Sequence, residues 1–377
     1  MSAPGSDAVA GDGVSGDGVS GDGVAERPVE RGVDAAWDAF VEANPRASYL
    51  QLSGWARSKA ANGWRSWALA VEAPGGTIGA RILLRRPAGV PWTFAYAPRG
   101  PLAASWEAAS LAAFTEAARM TAPRIGRISH LRVDPEIEVD GPDDADGSTR
   151  RSLEALGWRP APEVQPSVTR VIDLAPDEVA LWGALRGKWR QYVNRARSAG
   201  IRVEERGVAD LAAFHAIMAE TSVRTGTPIR TEGSYRGIWD AFAPAGRTRL
   251  LFAVGPDGMP QAALFLVRAG SRVVEPYGGM TAVGAISRAN YLLKWEAIRS
   301  SREAGGTSYD MWGLVHPGIR QFKEGFGGRE IRLIGAFDLD LRPFAARLYR
   351  LAERRGGPRR PATGGTARPP ADGARPA

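Results

Sequence analysis

The spacing of hydrophobic residues predicts a mixed order of helices and strands in the first half of the chain. Apolar positions that recur every three or four residues favour helices, and positions that alternate favour strands. These spacings predict helices at 34–42 and 53–62, strands at 66–72, 78–85 and 92–97, a helix at 105–121, a strand at 127–133, a polar loop at 139–149, a helix at 151–157 and a strand at 166–173.

The same order of elements recurs over residues 174–337. The first helix, predicted at 178–199, places Trp182 and Trp189 on one face and ends before Gly200. The pattern then predicts a strand at 201–203, a helix at 209–223, a hairpin of strands at 249–254 and 261–268, a strand at 271–277, a helix at 288–304 and a strand at 308–314. Two such units predict an α/β (α+β) fold with a mixed β-sheet, flanked by helices, in each half.

Both ends of the chain lack the apolar residues that a packed core needs. Residues 1–33 contain a five-residue Gly/Asp repeat, and residues 356–377 are rich in Arg, Pro and Gly. We therefore predict that both segments are disordered. The sequence has no run of eighteen apolar residues and no signal-peptide pattern, so we expect a cytoplasmic protein without a transmembrane segment.

The chain contains no cysteine and only three histidines among its 377 residues. The lack of cysteine excludes disulfides, thiol nucleophiles, iron–sulfur clusters and cysteine-ligated zinc. The histidines are far apart in sequence, which argues against a histidine-rich metal centre. We therefore expect neither a metal nor a cofactor.

Basic residues exceed acidic residues by eight over the whole chain. Residues 1–34 carry a net charge of −5 and residues 342–377 carry +7, so the region between them is itself basic. A basic folded region suggests an anionic partner, such as nucleic acid, a phosphorylated substrate or a membrane surface. A solvated basic surface explains the same charge equally well.

Lysine is rare among the basic residues. Only four of the 49 basic residues are lysines, namely Lys59, Lys188, Lys294 and Lys323. A lysine retained in such an arginine-rich chain suggests a position where a compact ammonium does what a guanidinium does not. For any single lysine, chance is the simpler explanation.

Four motifs occur in a fixed order along the chain. They are Tyr49-Leu50-Gln51 with Gly54-Trp55, Lys59 and Gly63-Trp64; Tyr96-Ala97-Pro98-Arg99-Gly100-Pro101; a basic helix with Lys188, Arg190 and Asn194-Arg195; and Tyr277-Gly278-Gly279 followed by Leu292-Leu293, Trp295, Tyr309-Asp310, Trp312-Gly313 and Phe322-Lys323-Glu324-Gly325-Phe326-Gly327-Gly328. This ordered set resembles the Fem-type (FemABX) peptidyltransferases, in their shorter FemX-like form. The resemblance extends from about Tyr49 to Leu341.

The resemblance implies a fold, a reaction and its partners. The fold is two tandem N-acyltransferase-like (GNAT-like) domains, an acceptor-binding domain at 34–173, to which residues 338–355 return, and an aminoacyl-transfer domain at 174–337. The reaction moves an amino acid from aminoacyl-tRNA to an amine on the stem peptide of a UDP-linked or lipid-linked muramyl-peptide, which builds the cell-wall bridge. Peripheral contact with a membrane is compatible with the lipid-linked acceptor.

Lys323 is the candidate catalytic residue, because its ammonium suits the aminolysis of an ester. Attack of an amine on an aminoacyl ester builds an oxyanion and then expels a ribose hydroxyl, and a fixed cation able to donate a proton serves both steps. The glycines around Lys323 predict a loop whose backbone N–H groups approach a ligand. The alternative is a loop lysine that merely lies near an anion.

The substrate-binding candidates depend more heavily on the resemblance. Lys59 and Arg230 would contact the diphosphate of the acceptor, although Lys59 could instead be a surface lysine lying over tryptophan. Tyr96 and Arg99, in a turn fixed by two prolines, would line the acceptor cleft or serve only the turn. The remaining substrate-binding candidates are Tyr235, Tyr277 and Phe322.

The basic helix supplies candidates for binding tRNA. Residues 181–206 contain seven basic and two acidic side chains, and phosphate contacts provide most of the affinity that does not depend on nucleotide sequence. The candidates are Lys188, Arg190, Arg195 and Arg197. The alternative is a helix whose aromatic residues belong to the core and whose arginines are only solvated.

Three other functions remain open from the sequence. A CoA-dependent N-acetyltransferase shares the fold, but its (R/Q)xxGx(G/A) pyrophosphate loop is replaced here by Thr281-Ala282-Val283-Gly284-Ala285. A Fem-like enzyme that forms amides in secondary metabolism would keep the reaction and change the acceptor. A non-catalytic protein that binds tRNA or a precursor is disfavoured by Lys323 in its intact motif.

Overall fold

A computed structural model of the protein describes residues 31–314 and 316–354. The segments predicted to be disordered, 1–33 and 356–377, lie outside these residues, except that the first helix begins at Arg31. Two seven-stranded sheets form the framework of the described part. No helix in that part is long and apolar enough to cross a membrane.

Helices and strands follow one another in an order close to the predicted one. In chain order they are α1 (Arg31–Ala43), α2 (Ser53–Ala60), β1 (Arg65–Val71), β2 (Ile78–Arg85), β3 (Thr93–Ala97), β4 (Leu102–Ala103), α3 (Ala108–Ile125), β5 (Ile128–Val133), α4 (Ser148–Ala155), β6 (Trp158–Ala161), β7 (Val168–Asp173), α5 (Glu178–Ala184), α6 (Gly187–Ser198), β8 (Arg202–Arg206), α7 (Leu211–Thr225), α8 (Glu232–Phe242), β9 (Thr248–Val254), β10 (Pro260–Ala269), β11 (Arg272–Met280), α9 (Ala282–Ser287), α10 (Ala289–Glu303), β12 (Ser308–Gly313), α11 (Pro317–Glu324), β13 (Arg329–Arg332), β14 (Ala336–Asp340) and α12 (Pro343–Arg354).

Each half of the chain provides most of the strands of one mixed sheet. The first has the order β1-β2-β3-β5-β14-β6, with β4 paired to β2, and the second has the order β13-β7-β12-β11-β10-β9-β8. Each sheet has one parallel pair, β3 with β5 and β11 with β12, and helices connect the two strands of each pair. The mixed sheet predicted for each half is therefore present.

The sheets exchange strands between the two halves of the chain. β14, from the end of the described chain, lies between β5 and β6 of the first sheet. β7, which the sequence division at residue 173 assigns to the first half, pairs instead with β12 and β13 of the second sheet. The chain therefore enters the second sheet at Val168, before the expected boundary.

The single helix predicted at 178–199 is wrong, because the structure has two helices, α5 and α6, with a break between them. Leu185 adopts an extended conformation, and the Arg186 N–H donates to the Gly325 carbonyl at 2.9 Å. The Arg190 guanidinium donates to the Gly183 and Leu185 carbonyls at the end of α5. Tertiary contacts therefore interrupt a continuous helical pattern.

The core connects the two halves rather than filling each one separately. One buried cluster joins Trp55 of α2 with Phe242 of α8 and Phe265 of β10. Two further clusters each lie on a single sheet, one around Trp295 on the second sheet and one around Trp158 on the first. The shared cluster holds α2 against α8, and this contact brings together the cations described below.

Candidate functional site

A cavity of about 880 Å³ lies against the second sheet. Its wall comes mainly from β11, α7, α9, α10 and α11, with contributions from α8, the end of β12 and the segment 227–230. Five of the eight predicted catalytic and substrate-binding residues line it: Arg230, Tyr235, Tyr277, Phe322 and Lys323. The other three, which are Lys59, Tyr96 and Arg99, lie outside this wall.

Lys323 lies in the last turn of α11 and not in a glycine-rich loop, so that part of the prediction is wrong. Its ammonium donates to three successive carbonyls at the end of β12, those of Met311 at 2.5 Å, Trp312 at 3.2 Å and Gly313 at 2.9 Å. Burial is the largest influence on the Lys323 pKa and lowers it to about 8. A compact ammonium therefore lies at the cavity wall with its orientation fixed.

The end of β12 bends at Trp312, and a buried acid holds the bend. Trp312 has a φ of 60°, and the pairing of β12 with β7 shifts register between Asp310 and Gly313. Asp310 accepts the Trp312 N–H at 2.7 Å and the Thr169 hydroxyl at 2.5 Å, and it pairs with Arg272. Left-handed backbone at a bulky residue persists only where its surroundings fix it, as they do here. Asp310 therefore acts on the shape of the cavity wall.

The glycines after Lys323 allow close packing rather than ligand binding. A Cβ on Gly325 would lie 2.3–2.6 Å from ring atoms of Trp189, and a Cβ on Gly328 would lie 2.4 Å from the Val171 carbonyl oxygen. The Trp189 indole N–H donates to the Phe322 carbonyl at 2.9 Å. The motif therefore fixes α11 against α6 and β7, which places Lys323.

Replacing Gly325 with alanine is expected to lower the free energy of unfolding by about 1–3 kcal/mol, because the added methyl group overlaps the Trp189 ring. Urea titration measures the change. Gly318→Ala is the matched control on the same helix, because a Cβ there meets nothing within 4 Å, and it should leave stability unchanged or slightly higher. Equal stability of the Gly325→Ala and wild-type proteins would contradict the packing role.

Lys59 and Arg230 come from different halves of the fold and meet at one aromatic ring. Lys59 Nζ lies 4.0 Å and the Arg230 guanidinium carbon 5.7 Å from the ring centre of Trp55. Arg230 also lies 5.3 Å from the Tyr277 ring in the cavity wall. Burial and, to a smaller extent, repulsion from Arg230 lower the pKa of Lys59 to about 6. Arg230 and Lys59 therefore form one positive site at the edge of the cavity, in which Arg230 carries the charge and the Lys59 amine can take up a proton.

Tyr96 and Arg99 are buried behind the cavity wall. They therefore do not line this cavity, contrary to the role predicted for them in the acceptor cleft. The Tyr96 hydroxyl donates to Asp134 at 2.8 Å, and the Arg99 N–H donates to the same carboxylate at 2.6 Å. The Arg99 guanidinium donates to the Pro166 carbonyl and lies 5.1 Å from the ring centre of Trp312. These contacts agree with the alternative interpretation, in which Tyr96 and Arg99 only stabilise the turn.

A buried charged cluster at the cavity wall was missed by the sequence analysis. Lys294 of α10 forms an ion pair with Glu275 of β11, and both side chains are almost fully buried. The Tyr309 hydroxyl donates to the same carboxylate at 2.6 Å. Lys294 and Glu275 line the cavity together with Lys323. The charge of Glu275 favours the protonated form of Lys323, and the charge of Lys294 opposes it.

The four candidates for tRNA binding on α6 differ in their surroundings. Arg190 caps α5, and Arg197 pairs with Glu296 at 2.8 Å and lies over Trp182. Lys188 and Arg195 have exposed side chains. Lys188 Nζ lies 5.7 Å from the ring centre of Tyr192, a contact that leaves its ammonium exposed. The role of all four residues in binding tRNA stays a prediction.

The start of α9, where a CoA-dependent N-acetyltransferase would hold pyrophosphate, already faces an acid. Glu220 of α7 accepts the Ala282 N–H at 2.6 Å, and the Thr281 hydroxyl accepts the Gly284 N–H at 3.0 Å. A carboxylate at a helix N-terminus takes the place that an anionic ligand would use. This arrangement disfavours a CoA pyrophosphate at α9.

Residues 33–254 and 247–354 match the FemAB family. The lipid II:glycine glycyltransferase of Staphylococcus saprophyticus subsp. saprophyticus is 25% identical over an alignment of 397 positions, gaps included, which covers 85% of this chain and 94% of that enzyme. The enzyme of the same name from Staphylococcus aureus is 28% identical over 222 residues, which cover 56% of this chain and 52% of that enzyme.

Two solved structures share the fold. The crystal structure of FemX superimposes with a TM-score of 0.76 at 22% identity, covering 85% of this chain and 98% of FemX. A tandem GNAT protein from the clavulanic acid biosynthesis pathway gives a TM-score of 0.52 at 12% identity, covering 82% of this chain and 94% of that protein. These similarities confirm the predicted fold class of two tandem GNAT-like units.

Proposed function

Because the chain belongs to the FemAB family and is a transferase of amino acids, we propose that it takes an amino acid from aminoacyl-tRNA and attaches it to a peptidoglycan precursor. The acceptor is an amine on the stem peptide of a muramyl-peptide that carries a diphosphate. The staphylococcal relatives are lipid II:glycine glycyltransferases by name, which supports a lipid-linked acceptor.

The observation that carries the proposal is the fixed ammonium of Lys323 at the cavity wall. In the proposed reaction the acceptor amine attacks the carbonyl carbon of the aminoacyl ester, so that a C–N bond forms and the C–O bond to the ribose breaks. When the substrates bind, one of the three N–H groups of Lys323 would leave its β12 carbonyl, so that the ammonium stabilises the oxyanion and gives a proton to the leaving ribose oxygen. The proton lost by the attacking amine restores the charge of Lys323. An activated ester needs no enzyme nucleophile, which suits a chain without cysteine.

The positive site formed by Lys59 and Arg230 is the proposed contact for the acceptor diphosphate. It lies at the edge of the cavity that Lys323 lines, and Arg230 belongs to both. Anionic oxygens are well matched by a guanidinium next to an ammonium. The diphosphate and the reacting amine of one acceptor would then occupy two parts of the same site.

Binding of this acceptor is expected to take up close to one proton per molecule at pH 7. In the free protein the pKa of Lys59 is lowered to about 6, so its amine is mostly neutral at pH 7. A diphosphate beside it favours the ammonium and raises the pKa. Affinity should therefore fall as the pH rises above about 6, by up to tenfold per pH unit.

Calorimetric titration with the acceptor in two buffers of different ionisation enthalpy measures this proton uptake. Lys59→Met removes the titrating group and should bind more weakly, with no uptake at either pH 6 or pH 8. Wild-type binding without net proton exchange at pH 7 would exclude Lys59 from the diphosphate site.

The proposed function is tested by incubating the full-length protein with a mixture of charged tRNAs and a muramyl-pentapeptide, either UDP-linked or lipid-linked. Mass spectrometry should detect addition of an amino acid to the stem peptide, and prior treatment with ribonuclease should abolish it. The two acceptor arms distinguish the two linkages. Acylation supported by acetyl-CoA alone would overturn the proposal in favour of an ordinary N-acetyltransferase.

A further inference from the structure

Helix α12 presents its apolar side to solvent. Phe344, Leu348 and Leu351 have the i, i+4, i+7 spacing of a single helix face, and their exposed fractions are 72%, 38% and 43%. A helix on a protein surface normally turns this face towards the core. We define these three residues as the outer stripe of α12.

The opposite side of α12 is attached by polar and aromatic contacts, so the outward orientation is fixed. The Tyr349 ring stacks on Phe94 with centres 5.3 Å apart. Arg350 donates two hydrogen bonds to Asp340 at 2.6 and 2.9 Å, and Glu353 accepts from the buried Arg132. Turning the outer stripe inward would break each of these contacts.

The loop between β2 and β3 extends the same surface. The Trp92 ring meets the Phe344 ring edge to face with centres 6.4 Å apart. Between the loop and the helix lies a small apolar cavity of about 230 Å³, lined in part by Val90, Trp92 and Leu348. The surface therefore combines exposed aliphatic side chains with aromatic rings at its border.

The charge around the outer stripe is positive. Arg86 of the loop, Arg342 just before α12 and Arg347 within it are all exposed. The sequence after the helix, residues 355–377, contains five arginines and one aspartate. Apolar residues bordered by arginines and aromatic rings are typical of a helix that lies in the interface of an anionic bilayer.

We infer that the outer stripe of α12, with the β2–β3 loop, docks on a membrane surface that carries anionic headgroups. Like charge disfavours the same face of a second copy as the occupant, because the arginines would then face one another. Residues 355–377 contain no large aliphatic or aromatic side chain that could cover the stripe. Nucleic acid would use the arginines but not the apolar residues between them.

Co-sedimentation of the full-length protein with vesicles tests this inference without either substrate, so its outcome is independent of the proposed transfer reaction. Vesicles of phosphatidylcholine with 30% phosphatidylglycerol, a composition of about one anionic lipid in three, should bind at least tenfold more protein than phosphatidylcholine alone. The variant F344S/L348S/L351S should lose about tenfold or more of this binding.

A matched variant with three exposed apolar residues elsewhere, M120S/V179S/M259S, should bind as the wild type does. Circular dichroism melting verifies that both triple variants are folded. Vesicle binding that the α12 substitutions leave unchanged would overturn the inference. A wild-type dimer that becomes monomeric in the α12 variant, with no vesicle binding by either protein, would overturn it in favour of a second copy.

Discussion

Replacing Lys323 with alanine is expected to lower the turnover number for aminoacyl transfer by about 10²–10³-fold, the usual cost of losing one oxyanion-stabilising donor. The affinity for the acceptor should change little, because the proposed diphosphate contacts come from Lys59 and Arg230. The fold should remain intact with reduced thermal stability, since three carbonyls of β12 lose their donor. Rapid-quench measurement of a single turnover separates the chemical step from binding.

The pH dependence distinguishes a catalytic ammonium from a structural one. With the Lys323 pKa lowered to about 8, mainly by burial, the ammonium predominates at pH 7. The rate of the chemical step should therefore fall as the pH rises through about 8. In Lys323→Arg any residual activity should lack this decrease, because a guanidinium stays protonated throughout that range.

A cation on the same helix provides the control for Lys323. Arg320 is one turn away and forms an ion pair with Glu330, so Arg320→Ala should keep nearly full turnover. If Arg320→Ala and Lys323→Ala lose similar amounts of thermal stability and both retain their turnover, the role of Lys323 is structural only. Unchanged turnover in Lys323→Ala would by itself remove the proposed catalytic role.

Replacing Lys294 with methionine is expected to lower the free energy of unfolding by about 3–5 kcal/mol. The substitution leaves the Glu275 carboxylate buried with only the Tyr309 hydroxyl as a described donor, and a buried charge without its counter-ion is costly. The double variant Glu275→Leu/Lys294→Met should recover most of the loss, because it removes both charges at once. Urea unfolding of the four proteins forms a double-mutant cycle.

An exposed ion pair on the same helix is the comparison for this cycle. Arg299 pairs with Glu296 and Glu303 at the surface of α10. Arg299→Ala should cost less than about 1 kcal/mol, because solvent screens such pairs. A Lys294→Met variant as stable as Arg299→Ala would contradict a structural role for the buried pair.

Local periodicity was sufficient to predict most elements of the fold. The strands over 78–85 and 249–254 and the helix over 288–304 lie within a few residues of their predicted bounds. Strand β6 was missed because Pro160 and its short length conceal it, and proline is tolerated at a sheet edge. The break between α5 and α6 depends on Gly325, which is distant in sequence, so no local pattern predicts it.

The candidate site was only partly predictable for a related reason. The family resemblance identified five residues that line one cavity and Lys59 at its edge. It could not decide between the two roles left open for Tyr96 and Arg99, because a polar turn gives no measure of burial. Glu275 and Lys294 each interrupt an apolar run, which is a usable signal of a buried charge. Their pairing, however, depends on the packing of α10 on β11, and only tertiary structure provides it.

The position of β14 has a consequence for the order in which the protein can fold. The first sheet has a gap between β5 and β6 until Ala336–Asp340 has been synthesised, some two hundred residues after Val133. During translation the N-terminal half therefore exposes two unpaired strand edges, an arrangement that favours aggregation and recruits chaperones. In the second sheet, β7 and the central strands β10, β11 and β12 are all synthesised before β14. We therefore expect the second sheet to assemble before β14 completes the first sheet.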